Sequence, residues 1–198
     1  MELKFLNHEC CIDTTYCETI QYDESYFNKY EKMSQSALGI ALNSFRKSYV
    51  EKFANPGSIL DYGTGYGELV LLDTSERWFG YDINPLTEKR LSHRFYECRH
   101  ECSNICLFDV LEHMRDPVKF LLDTQQGVRM FISIPLWSDN WNEITQWKHW
   151  RPKEHFLYAS PNGFEELMKQ CGFVLLNKCN NETLLGREDI YSFAFQKC

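Results

Sequence analysis

No apolar run in this 198-residue sequence approaches the length that crosses a bilayer, so no membrane span is expected. The first twelve residues are charged and lack the hydrophobic stretch of a secretory signal. Basic charge is in the minority, with 21 Lys and Arg against 28 Asp and Glu and a formal charge of −7. Non-specific nucleic-acid binding rests on phosphate neutralisation, so that class is disfavoured, while a nucleotide ligand stays open. No C-x-x-C pair occurs among the nine cysteines, and with no signal they are read as reduced thiols of a cytoplasmic protein. Internal repeats and low-complexity tracts are also missing. What is left is the composition of a globular chain, 43% hydrophobic and long enough to bury one core.

Residues 1–22 form a Cys-rich polar lead-in with no readable pattern, ahead of a single domain over 23–198. From Asp23 to Phe53 apolar residues recur at threes and fours, which predicts one or two amphipathic helices with a break near Gly39. Asn55-Pro56-Gly57 ends that region. Strand and helix signals then alternate. Strands are expected at Ser58–Tyr62, Trp78–Tyr81, Arg94–Glu97, Asn104–Phe108 and Val128–Ile134, with helices near Glu68–Leu72, Glu88–Ser92 and Pro117–Asp123. Ser160-Pro161 starts a further helix that stops at Gly172. Phe173–Lys178 and Ile190–Phe195 would close the sheet as an antiparallel hairpin. The alternation implies a three-layer α/β/α sandwich of Rossmann type with a mostly parallel sheet.

The strongest chemical signal is Asp61-Tyr62-Gly63-Thr64-Gly65-Tyr66-Gly67-Glu68, a strand running into three alternating glycines. Such a loop turns tightly and lets backbone approach a ligand at the carboxyl ends of the strands. A dinucleotide fingerprint would place its third glycine at position 68, where Glu68 stands. The early third glycine, with Asp61 two residues before the first, suits an ammonium or sulfonium ligand better than a pyrophosphate. Asp82 follows Asp61 by 21 positions, at the end of the next strand, where an acid accepts hydrogen bonds from ribose hydroxyls. Ile83 would then lie against adenine. A third segment, Asp109-Val110-Leu111-Glu112-His113, places ionisable groups at another strand end.

These segments, in this order, resemble the class I S-adenosylmethionine-dependent methyltransferases, in particular their small-molecule branch with its D-x-L-E-H segment. Trp147 to Tyr158 and the Cys171-Gly172-Phe173 ending are similar to the substrate-side segment of some members. The resemblance covers about residues 24–198. It implies S-adenosyl-L-methionine as cofactor, held by Asp61, Gly63, Gly65, Gly67, Asp82, Ile83, Asp109 and Val110. It implies methyl transfer to a small-molecule or nucleotide acceptor. Segments typical of DNA amino-methyltransferases (an acid or Asn, then Pro-Pro-aromatic) and a Pro-Cys nucleophile are both missing. Asp109 follows Asp82 by only 27 positions, fewer than is usual in the family, so the third strand should be short and its helix vestigial. The adenine-side wall then falls to some residue among His100, Glu101 and Ser103.

Four of the five tryptophans, Trp137, Trp141, Trp147 and Trp150, share one loop with His149 and His155. They either shape a substrate pocket or cover the sheet edge. Methyl transfer from a sulfonium needs mainly positioning and desolvation, and a base only when the acceptor must lose a proton. His113 is the first candidate base and His155 the second. No metal is expected: His8, Cys10, Cys11 and Cys17, or Cys98, His100, Cys102 and Cys106, lack ligand spacing for zinc. A protein that binds S-adenosylmethionine without methylating is the main alternative, and a zinc-stabilised interaction module a lesser one.

Overall fold

A computed structural model describes residues 3–14, 24–138 and 140–198 of the protein. In chain order these form β1 (Leu3–Asn7), β2 (Cys10–Asp13), α1 (Glu24–Gln35), α2 (Ala37–Phe53), β3 (Ile59–Tyr62) and α3 (Glu68–Leu71). Next come β4 (Trp78–Tyr81), α4 (Pro85–Leu91), β5 (Asn104–Phe108), α5 (Pro117–Leu122) and β6 (Arg129–Pro135). The chain ends with β7 (Leu157–Ala159), α6 (Pro161–Gln170), β8 (Phe173–Cys179) and β9 (Ile190–Lys197).

The central sheet has the order β4-β3-β5-β6-β9-β8. Its first four strands are parallel, and β9 runs antiparallel to both β6 and β8. The period-2 alternation of each strand divides the core into two layers. Ile105, Leu107, Met130, Ile132, Phe193 and Phe195 face α5 and α6, where Phe120, Leu121, Phe164 and Met168 meet them. Cys106, Phe108, Phe131 and Ala194 face the other way, onto Tyr49 and Val50 of α2, Leu69 and Val70 of α3 and Leu91 of α4. Each fully buried Leu or Phe contributes about 1.5–3 kcal/mol. The expected three-layer sandwich with a C-terminal hairpin is therefore the fold.

Local chemistry explains the boundaries. Ser160 caps α6 by accepting the Gly163 N–H at 3.0 Å, Pro161 opens the helix, and Gly172 follows it with φ +82°. The expected break near Gly39 falls at Ser36, three residues before it, where the Ser36 hydroxyl accepts the Gly39 N–H. Gly39 lies inside α2, where a Cβ would meet the Met33 carbonyl oxygen at 2.0 Å, so its bareness lets the two helices close up. The strand expected at Arg94–Glu97 is reduced to one bridge between Gly80 and Phe95. Short 3-10 turns at Ser92–Arg94 and Arg99–Glu101 fill the space where a strand and helix would otherwise follow.

The lead-in proves to be ordered over its described part. β1 and β2 form a hairpin, and β2 pairs antiparallel with β7 in a small second sheet. Cys10 packs into the core beside α6, while Cys11 turns to the opposite side, among Trp137, Ile144, Trp147 and Tyr158. Neighbouring strand positions cannot share a metal in that arrangement. Cys17 lies outside the described residues. Among the described residues, no helix is long and apolar enough to cross a membrane.

Candidate functional site

The carboxyl ends of β3, β4 and β5 converge on the glycine loop. Gly63, Gly65 and Gly67 hold φ of +80°, +59° and +82°, which side chains with a Cβ rarely adopt. The Gly63 and Thr64 N–H groups both donate to the Tyr81 carbonyl, at 2.7 and 3.0 Å, fastening the loop to β4. At Gly63 an added Cβ would also strike Val110 Cγ2 at 2.4 Å, so two of the expected cofactor positions pack directly together. Gly65 is less confined, with the Tyr30 ring of α1 at 3.6 Å. Tyr66 is clasped between Phe27 and the Arg90 guanidinium. α1 thus closes one side of the loop.

The acids here differ in what surrounds them. Asp61 is buried and accepts one hydrogen bond, from the Thr64 hydroxyl at 2.7 Å. Burial pushes its carboxyl up to about 6, Thr64 and the more distant Arg46 charge oppose that, and Asp82 adds to it. Asp82 accepts the Gly65 N–H at 2.8 Å and the Asn84 N–H at 2.9 Å, and burial raises its pKa against these bonds. Ile83 beside it is 60% exposed, an apolar surface available to a ligand.

Asp109, expected to touch the cofactor, already has both oxygens engaged. Arg46 reaches Oδ2 at 2.8 Å and Arg187 reaches Oδ1 at 2.8 Å. Burial alone would raise its pKa, but the two guanidinium groups hold it well below the carboxylate range. The same arginines bind Glu182, which is fully buried and also accepts the Ser133 hydroxyl at 2.8 Å. Two arginines against two carboxylates make this cluster neutral. Its φ of +59° turns Asp109 so that Val110 continues under Gly63.

On the other face of β5, a 3-10 turn at Leu111–His113 meets the end of the tryptophan loop. The Phe156 N–H donates to the Glu112 carbonyl at 2.6 Å, which draws His155 beside Glu112 and His113. The two imidazoles meet edge to face at 4.7 Å. Burial lowers the His113 pKa although the Glu154 carbonyl opposes it; burial, then the His113 charge, brings His155 down to about 3. Burial, then the Asp109 charge, raises Glu112 well above its usual range.

The tryptophans pack mainly on one another. Trp137 and Trp147 are buried 5.5 Å apart, and Trp147 Nε1 donates to Asp189 at 2.9 Å. Trp150 lies against Tyr158 at 4.6 Å, His149 against Trp147 at 5.1 Å, and Trp141 is half-buried at the edge of the cluster. Ser103 sits at the amino end of β5 beside Gly57, away from the glycine loop. Sequence reasoning missed Arg46, Arg187 and Glu182, as well as the aromatic stack of Tyr62, Tyr81, Phe95 and Phe120. Arg46 alone left a trace, as a charge within an otherwise apolar helical stripe.

A glycine loop and acids at the carboxyl edge of a mostly parallel sheet define a Rossmann-like nucleoside-binding enzyme. Residues 35–178 match the family described as "Methyltransferase domain". The chain belongs to that family and is a class I S-adenosylmethionine-dependent methyltransferase. Among solved structures it is similar to the 1,6-didemethyltoxoflavin-N1-methyltransferase of Burkholderia thailandensis, solved with bound 1,6-didemethyltoxoflavin and S-adenosylhomocysteine. That likeness has TM-score 0.57 and 12% identity, and covers 100% of this chain and 99% of the other. The magnesium protoporphyrin IX methyltransferase of Synechocystis, with bound S-adenosylhomocysteine, gives 0.61 and 10%, covering 89% and 96%. The [4+2]-cyclase SpnF gives 0.59 and 12%, covering 83% of each chain. At such identities the likeness is one of fold. No curated protein matches the chain.

Proposed function

We propose that the protein transfers the methyl group of S-adenosyl-L-methionine to a small-molecule or nucleotide acceptor held on the side of β5 that carries Glu112, His113 and His155. The observation that carries this reading is Asp61: a buried carboxylate with one hydroxyl partner, next to a loop of positive-φ glycines. A buried acid so poorly compensated suits a ligand that brings positive charge, and the donor's ammonium or sulfonium does so. Asp82 holds the ribose by exchanging backbone bonds for hydroxyls, Ile83 covers adenine, and Val110 supports the loop from below. Asp109 acts through Arg46 and Arg187, shaping this edge rather than touching the donor. On the acceptor side, the His113 and His155 imidazoles offer lone pairs to an acceptor that must lose a proton, as long as no cation holds them. Trp141, Trp150 and His149 border that space, backed by Trp137 and Trp147.

Calorimetric titration with S-adenosylhomocysteine tests the donor half. Near-stoichiometric binding that Gly65→Val together with Asp82→Ala abolishes is expected, and folded protein that binds nothing would sink the reading. The cyclase among the structural neighbours shows that this fold serves other reactions, which favours a second reading as a non-methylating S-adenosylmethionine-binding protein. Incubating the protein with methyl-labelled donor and cell extract separates the two. Label in an acceptor supports transfer, and binding without label transfer supports the second.

A further inference from the structure

Within the acceptor side, Glu112, His113 and His155 each place one ligand atom within 4.8 Å of the other two. Glu112 is 2% exposed and His155 4% exposed, yet Glu112 Oε2 and His155 Nδ1 have no hydrogen-bond partner. Leaving two such atoms unpaired beside one another costs free energy that a folded protein rarely tolerates without a ligand. His113 is already oriented. Its Nδ1 lies 2.9 Å from the Glu154 carbonyl and donates to it, which leaves the ring's lone pair on Nε2. A histidine that ligates a cation is usually fixed in this way through its other ring nitrogen.

We propose that Glu112, His113 and His155 form a binding site for one divalent transition-metal cation, such as Zn²⁺, Mn²⁺ or Co²⁺. Two imidazoles and one carboxylate are a ligand set for these ions, and three protein ligands leave a position open to an oxygen ligand. Bonds of about 2.0–2.2 Å place tetrahedral ligand atoms roughly 3.5 Å apart, so the cluster contracts by about an ångström on binding. Side-chain rotation suffices for that, because the backbone is already tied by the bond from Phe156 to Glu112. Among neighbouring cations, Arg46 and Arg187 are both committed to Asp109 and Glu182, and Arg151 pairs with Glu154. This site replaces the expectation of no metal, and it uses none of the cysteines. Any part it plays in catalysis rests on the methyl-transfer reading, but its occupancy does not.

The protein, stripped with chelator and dialysed, is titrated with Zn²⁺, Mn²⁺ and Co²⁺ separately, and S-adenosylhomocysteine binding is measured in parallel. One equivalent of at least one ion is expected, with visible Co²⁺ bands lacking a thiolate charge-transfer band. Glu112→Gln and His155→Gln should each weaken ion binding by more than the roughly 10–100-fold that loss of an outer-shell partner causes, while donor binding holds. Protein that binds the donor but none of the three ions overturns the site. A thiolate band, or both variants binding as tightly as the parent, overturns it as well. Should either variant fail to fold, the imidazole nitrogen resonances of the parent decide, because only ligation moves those of His113 and His155 together on adding Zn²⁺.

Discussion

Asp61 and Asp109 occupy the same edge of the sheet, at or just beyond the ends of the neighbouring strands β3 and β5, and they titrate in opposite directions. Asp61 is buried with one hydroxyl partner, and its carboxyl is pushed up to about 6. Asp109 is flanked by two guanidinium groups and is held well below the ordinary carboxylate range. Burial is the largest influence on both, so the difference comes from compensation. A carboxylate already answered by protein cations is part of the scaffold. One left unanswered next to a bare backbone loop is reserved for a charge that arrives later. The two acids, alike in the sequence, therefore divide between framework and donor binding.

The largest effect should come from breaking the compensated side. Glu182→Gln removes one of two carboxylates facing two arginines and leaves net buried positive charge, with little change in shape. Urea unfolding should show a loss of about 3–5 kcal/mol, and a loss under 1 kcal/mol would mean the network is not what holds this edge. The opposite sign is expected at Asp61. Its native pKa of about 6 stands above the ordinary carboxylate value of 3.8, so the native state binds more protons between those values. Stability therefore falls as pH rises through about 4 to 6, and the penalty is complete above that window. Asp61→Asn in cofactor-free protein should add about 1–3 kcal/mol at pH 7 and nothing below pH 4, at 1.36 kcal/mol per pKa unit. A destabilised variant at pH 7 would contradict the unanswered charge.

The smallest effect concerns binding. If the donor's ammonium answers Asp61, the proton held below pH 6 must leave as the donor enters. Affinity for S-adenosylhomocysteine should then fall below about pH 6 by up to roughly tenfold per unit and stay level just above it. Calorimetry in two buffers of different ionisation enthalpy reads the released proton directly. Binding that ignores pH in this range, or an Asp61→Asn protein with the same profile as the parent, would remove Asp61 from the donor site.

The sequence made the donor edge legible because its signals are local. A strand, three glycines and two acids lie within a short stretch, and each residue type has a conformational or electrostatic reason to be there. Most strands of the sheet were readable for the same reason, from alternation and flanking turns. The compensating network was not, since Arg46 and Glu182 are far apart in the chain and only the fold brings them to 3.0 Å. The Ser36 cap was hidden by the stronger helix-breaking signal of Gly39, which in the structure serves close packing. Phe95 carried strand propensity, but the segment around it is too short for more than one bridge. Glu112, His113 and His155 each lie in a segment whose sequence carries a signal of its own. Their meeting depends on a backbone bond between segments the sequence does not relate.

The pairing of β2 with β7 has a kinetic consequence. Cys11 sits opposite Tyr158, so nearly the whole chain must be gathered before those two strands meet. Contacts of such high contact order form late, after the local βα units have already gained from burial. The glycine loop, β3 and β4 come from one continuous stretch and can assemble early. The segment carrying His155 waits for the chain's first residues to return. The glycine loop thus belongs to a local part of the fold, while the acceptor side depends on the pairing of distant segments.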